Sequence, residues 1–245
     1  MSTGDESRFA RGAVRAKARR VIAETWQSQA NLSLFLVLLV LFAFILPVLG
    51  FGRDDERLYS DAAFSLLLIS GVAIAWGRPT LLAISGFIGS ATIAVRWMNF
   101  FTPSRTLQIW SDGWGIAAIL TIAFVLLSQV FSPGSVTHAR IQGAIAVYLL
   151  FGAAWAHAYH IAALVQPNAF NISAAGATFK VSDWIYYSFV TLSTVGYGDI
   201  TAIQPIPRLL SIGEALTGQL YLAVLVARLV AMEVISWQES QQKDA

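Results

Sequence analysis

Positions 194–198 read Thr-Val-Gly-Tyr-Gly, a run whose useful chemistry lies in its backbone. A potassium ion sheds its hydration water only where rings of oxygens replace it, and carbonyls stacked from four chains supply such rings. Aiming successive carbonyls the same way requires backbone angles that most residues avoid, and Gly196 and Gly198 reach them without a Cβ penalty. The carbonyls of Thr194, Val195, Gly196 and Tyr197 are therefore candidate K+ ligands, and the Thr194 hydroxyl adds an oxygen ring at the inner end. One copy per chain implies completion by symmetry, as a homotetramer.

Such a loop needs a helix to hold it. Asp183 to Ser193 is long enough for three helical turns, with Asp183 or Ser182 as the N-cap. Its C-terminal dipole then points at the ion path. Trp184, Tyr186, Tyr187 and Phe189 are expected to pack around the loop and hold its diameter, or to form an interfacial aromatic belt.

Only 12% of the 245 residues are charged, against about 25% in soluble domains, so a membrane protein is expected. The stretches 31–52, 62–77, 79–95 and 113–139 lack Lys, Arg, Asp and Glu, and each suits about one bilayer crossing of roughly 17–25 residues. The charge-free stretch 141–179 is too long for one helix, and Pro167-Asn168 ends it near Val165. A last span runs from Pro207 to Ile235, interrupted by Arg208, Glu214, Arg228 and Glu233. The expected fold class is an all-α membrane protein with six transmembrane helices, a re-entrant pore helix and a filter loop, assembled as a tetramer in a lipid bilayer.

Arg8, Arg11, Arg15, Lys17, Arg19 and Arg20 precede the first span, and Arg78 and Arg140 follow the second and fourth. Both termini are accordingly expected in the cytoplasm, and the first span is expected to stay in the mature chain. Residues 8–26 read either as an interfacial helix or as a basic tail. The organisation expected is a basic segment 1–30, a four-helix region 31–135, a pore unit 141–235 and a tail 236–245, too short for a regulatory domain.

The stretch Thr191-Leu192-Ser193-Thr194-Val195-Gly196-Tyr197-Gly198-Asp199 resembles the signature of potassium channels built on a helix, pore loop, helix unit, the best-known example of carbonyl selectivity. The resemblance covers residues 141–235 and implies an outer helix, pore helix, filter and inner helix. It implies a gating hinge at Gly218, nineteen residues past Asp199, where the alternative is close helix packing. Val190 stands where some bacterial channels have a glutamate bonded to the aspartate after the filter. Asp199 is then left to Trp184, Tyr187 or water, so Trp184, Tyr187 and Asp199 are the expected filter support and outer mouth. Leu222, Val226 and Val230 are implied as pore lining, where an apolar ring can close the path by excluding water.

Six spans with the pore last also resemble voltage-gated channels, whose fourth helix carries a cation at every third position. Here the fourth span, Trp114 to Phe131, has none. One charge crossing 100 mV is worth about 2.3 kcal/mol, and steep gating uses about three to four per subunit, so conventional voltage gating is not expected. Arg96 reads as a snorkelling residue beside Trp97 or as a weak sensor. Ser70, Gly71, Ser85, Gly86, Gly89 and Ser90 favour a tight hairpin of the second and third spans.

His157 and His160 can titrate near neutral pH or serve as neutral packing groups, and no third metal ligand accompanies them in the sequence. Glu214 pairs with Arg208, bonds to the pore helix or faces the cavity. Arg228 reads as snorkelling, and Asn171-Ile172-Ser173 matches a glycosylation sequon. There is no cysteine, and no phosphate loop or paired-carboxylate arrangement appears, so an enzyme is not expected. The reading is a potassium-selective channel subunit with K+ as permeant ion, no cofactor and no nucleic-acid partner, in the inner membrane of a bacterium. The alternatives are a potassium-transporter subunit and a non-conducting membrane sensor with a channel-like fold.

Overall fold

The computed structural model describes residues 30–45, 56–76, 78–132, 136–172 and 179–244. The elements run α1 (Ala30–Ile45), α2 (Glu56–Ile74), α3 (Pro79–Phe101), α4 (Arg105–Val130), α5 (His138–Val165), β1 (Phe170–Ile172), α6 (Val181–Leu192), β2 (Ile200–Ala202) and α7 (Pro205–Asp244). Five of these helices, α2 to α5 and α7, are long and apolar enough to cross a membrane. The sixth expected crossing, 31–52, is described only over α1, whose last turn widens to a π-helix at Leu41–Ile45. The basic segment 8–26 lies outside the described residues.

Local chemistry sets most of the boundaries. Pro79 occupies the first turn of α3, where its missing N–H costs nothing. The Ser104 hydroxyl caps α4 by accepting from the Leu107 amide. The last residue of α5 is Val165, just before Pro167, and Asn168 turns the chain with φ 57°, an angle that asparagine tolerates better than most residues. The fourth span begins at Arg105 rather than Trp114, which brings Asp112 inside it. The last span ends at Ile235, as expected, and its helix continues through 236–244.

One apolar core ties α1, α2 and α4 to α5. Phe35 and Leu39 from α1, Phe64, Leu67 and Leu68 from α2, Ile119, Ile122 and Leu126 from α4, and Val147 and Leu150 from α5 are all buried together. The small residues do not all serve the expected hairpin. A Cβ on Gly89 would meet Val72 at 3.3 Å, but one on Gly71 would lie 2.5 Å from Ile122 of α4, and one on Gly86 would meet nothing.

Arg96 corrects a sequence expectation. It does not snorkel: it is buried, its Nε donates to Asp61 Oδ1 at 2.6 Å, and its guanidinium sits 4.4 Å from the Phe64 ring centre. A charge held by a buried carboxylate and an aromatic face has little need of the interface.

Candidate pore and selectivity filter

Helix α6 is a twelve-residue segment, about 18 Å long, too short to span. Its N-cap is Lys180, not Ser182 or Asp183. Asp183 acts one turn in, its carboxylate accepting from the Lys180 amide at 2.8 Å and placing negative charge at the positive end of the helix dipole. The C-terminus faces the loop, where Ser193 Oγ donates to the Phe189 carbonyl at 2.6 Å.

Aromatic side chains fix α6 between its neighbours. Trp184 stacks on Phe179 with ring centres 4.6 Å apart and meets Phe170 edge-on at 5.1 Å. The Tyr187 ring packs on Tyr159 of α5 at 4.8 Å, while its hydroxyl and Ser211 Oγ of α7 share a hydrogen bond of 2.8 Å. Phe189 lies against Gly152, where a Cβ would come within 2.6 Å of the ring. Strands β1 and β2 pair antiparallel, Asn171 opposite Thr201, and so fasten the chain on either side of α6 and the loop.

The loop has the backbone that carbonyl coordination calls for. Positive φ recurs at every second residue, +60° at Thr194, +59° at Gly196 and +78° at Gly198, while Val195 and Tyr197 remain at negative φ. Alternation of this kind turns successive carbonyls toward one side. The amides of Thr194, Val195 and Gly196 reach back to the carbonyls of Thr191 and Val190 at 2.9, 3.0 and 3.3 Å, which leaves the loop carbonyls of this segment facing away from α6. A β-branched residue at positive φ is strained by about 1–3 kcal/mol, and Thr194 carries that strain where glycine would be relaxed. Val195 and Tyr197 are 53% and 71% exposed, so the rest of the chain leaves much of their apolar surface uncovered.

Asp199 is held differently from expectation. Neither Trp184 nor Tyr187 reaches it; Tyr186 donates its phenolic proton to Asp199 Oδ2 at 2.7 Å, and the Ile200 amide donates to Oδ1 at 3.0 Å. The side chain that faces the loop's end is thus one residue before the expected Tyr187, whose ring turns the other way along the helix. Hydrogen bonding to Asp199 pushes the Tyr186 phenol up to about 12.

Glu214 of α7 is fully buried. It accepts from Tyr159 Oη of α5 and from Ser188 Oγ of α6, each at 2.5 Å, and Ser188 also contacts the Gly152 carbonyl at 2.7 Å. Arg208 is not its partner, since that guanidinium donates to the Ala202 carbonyl. The carboxylate therefore joins three helices behind the loop and does not open on a cavity.

Helix α7 passes unbroken through Gly218, where a Cβ would stand 2.1 Å from the Leu192 carbonyl oxygen. That close approach explains the glycine without any bend. Gln219 Nε2 lies 3.5 Å from the Thr194 hydroxyl. Leu222, Val226 and Val230 follow at fourfold spacing, which puts them on one helix face, and all three are exposed in the single chain.

A family model described as an ion channel matches residues 144–234, the stretch from α5 to α7. Among curated proteins, the chain is similar to "Two pore potassium channel c" of Oryza sativa subsp. japonica, 42% identical over 67 residues. It is also similar to "Two-pore potassium channel 3" of Arabidopsis thaliana, 37% identical over 68 residues. These matches cover 27% and 28% of this chain but only 14% and 15% of the relatives. No solved structure matches at comparable stringency. The chain is an all-α membrane protein by its helices, with a segment similar to ion channels, and the similarity supports a channel over an enzyme. Both relatives are plant proteins and lend no support to the bacterial origin expected from the sequence.

Proposed function

We propose that the chain is a subunit of a homotetrameric channel that conducts K+ passively across a lipid bilayer, with the carbonyls of Thr194, Val195, Gly196 and Tyr197 as ion ligands. The observation that carries this reading is the alternating backbone of 194–198 with its amides tied to α6. Ion-channel similarity over 144–234 and the potassium channels among the relatives support it independently. Four copies would close the oxygen rings and cover the exposed Val195 and Tyr197.

In this reading α5, α6, the loop and α7 form the pore, and 31–135 is a periphery without a conventional voltage sensor. Arg96, the candidate sensor charge, is committed to Asp61. Both termini face the cytoplasm. Leu222, Val226 and Val230 line the inner half of the path. No cofactor is required, because the backbone itself replaces the hydration shell.

The test is Gly196→Ala. At φ +59° an alanine is strained by about 1–2 kcal/mol and is expected to turn its carbonyl, so potassium-over-sodium selectivity of flux into proteoliposomes falls sharply while the protein still assembles. Selectivity equal to the parent protein would remove the filter assignment.

A further inference from the structure

On the side of the molecule where α6 begins, a cavity of about 240 Å³ lies between the peripheral helices and the pore helix. Asp112 of α4 occupies its wall, buried and facing two imidazoles of α5. His157 Nδ1 is 2.7 Å from Asp112 Oδ1, and His160 Nδ1 is 2.7 Å from Oδ2, an ion-pair contact off the hydrogen-bond direction. Asp112 stands 45 and 48 residues before the two histidines, so only the packing of α4 on α5 brings them together.

We propose that Asp112, His157 and His160 form a proton-binding site that couples the acidity of this side of the membrane to the pore helix. The proposal rests on the channel reading above. Neutral His157, whose Nδ1 is hydrogen-bonded to Asp112 Oδ1, presents its N–H there and takes up a proton on Nε2. His160 touches Oδ2 off the hydrogen-bond direction and keeps a ring nitrogen open to a proton. The His160 side chain is 30% exposed and the His157 side chain 13%, while His157 Nε2 lies against α4 at Gly115. Protons therefore enter through His160. The first proton makes a neutral carboxylate–imidazolium pair; a second leaves two cations on one carboxylate.

Among the described residues lining the cavity, no free carboxylate is left to neutralise that second charge. From α2 the cavity receives Arg57 and Asp61, from α3 Arg96, and α1 and α6 contribute Phe42, Val181, Trp184 and Ile185. Asp61 is already bound to Arg96. Arg105 of α4 donates to the Leu164 and Val165 carbonyls at the end of α5, and Asp183 is engaged by the Lys180 amide.

The route to the pore is short. The His160 ring centre lies 6.0 Å from that of Trp184 on α6, within the reach at which an imidazolium is drawn to an indole face. His157 meets Phe64 at 5.3 Å, and Phe64 carries the Arg96 guanidinium on its own face. One protonation event thus acts on the pore helix and the periphery together.

The chain has three histidines, so the site can be followed by 15N NMR of histidine-labelled protein in bilayers, from pH 8 to 5, beside single-channel recording with acid applied to each face in turn. The expected result is two histidine signals that titrate as a coupled pair, and a change in open probability from one face only. If opening shifts the site's midpoint by about one pH unit, the ratio of open to closed channels changes by about tenfold. His160→Gln abolishes the response and retains K+ selectivity, Asp112→Asn uncouples the remaining signals, and His138→Gln, outside the site, leaves the response intact. Independent titration of the pair, or an unaltered response in His160→Gln, overturns the proposal. K+ current indifferent to acid on both faces overturns the coupling and leaves the channel reading standing. Absence of current under every condition, with the pair still titrating together, overturns the channel reading and the coupling with it.

Discussion

Replacing Asp61 by alanine is expected to lower stability by about 3–5 kcal/mol, because it strands the Arg96 guanidinium in the interior without a counter-charge. The side chains of the pair are only 9% and 7% exposed, with 2.6 Å between nitrogen and oxygen. For a chain of this size, about 1 kcal/mol corresponds to about 2–4 °C, so the melting temperature of the purified protein should fall by roughly 10 °C. A buried pair replaced as a unit is often tolerated, and the double variant Asp61→Leu/Arg96→Met is expected to recover most of the loss. Unchanged melting of Asp61→Ala would mean that Arg96 reaches the interface after all, as its position beside Trp97 first suggested.

Gly218→Val is expected to be destabilising as well, by a different route. Its Cβ would begin 2.1 Å from the Leu192 carbonyl, a backbone atom that cannot swing aside, and forced overpacking costs typically about 1–3 kcal/mol. Because Leu192 ends the pore helix, the strain falls on the base of the filter as well as on α7. Gly218→Ala should already lower the melting temperature by about 5 °C and reduce potassium selectivity. A glycine needed only for bending would behave otherwise: alanine would change open probability while leaving melting and selectivity unaltered.

The course of the chain from α5 to the loop at 194–198 was legible because its constraints are local. Glycines at 196 and 198, an aromatic helix before them and a proline after α5 each act within a few residues of where they stand, and the alternating φ of the loop follows from them. Thr194 at positive φ was not anticipated, since nothing in a threonine announces a left-handed angle. It is imposed by the amides of the next residues turning back onto Val190.

The peripheral charges were opaque because helix rotation decides them. Arg96 and Asp61, and Asp112 with His157 and His160, lie on separate helices, and the sequence does not say which faces meet. Asp112 was hidden twice, as the fourth span was expected to begin at Trp114 while the capped helix starts at Arg105. Glu214 had three readings from sequence, and the one in which it bonds to the pore helix is realised, through Ser188 and Tyr159. The partner of Asp199 was missed by a single position: Tyr186 and Tyr187 are adjacent, and only the phase of α6 determines which one faces the mouth.

Potassium selection is proposed to reside in 194–198. The most direct measurement is the reversal potential of the purified protein in a planar bilayer with KCl on one side and NaCl on the other. Carbonyl rings spaced for a dehydrated potassium ion predict a reversal potential displaced strongly toward that of potassium, with single-channel openings. A reversal potential near zero, or one displaced toward sodium, would contradict the account.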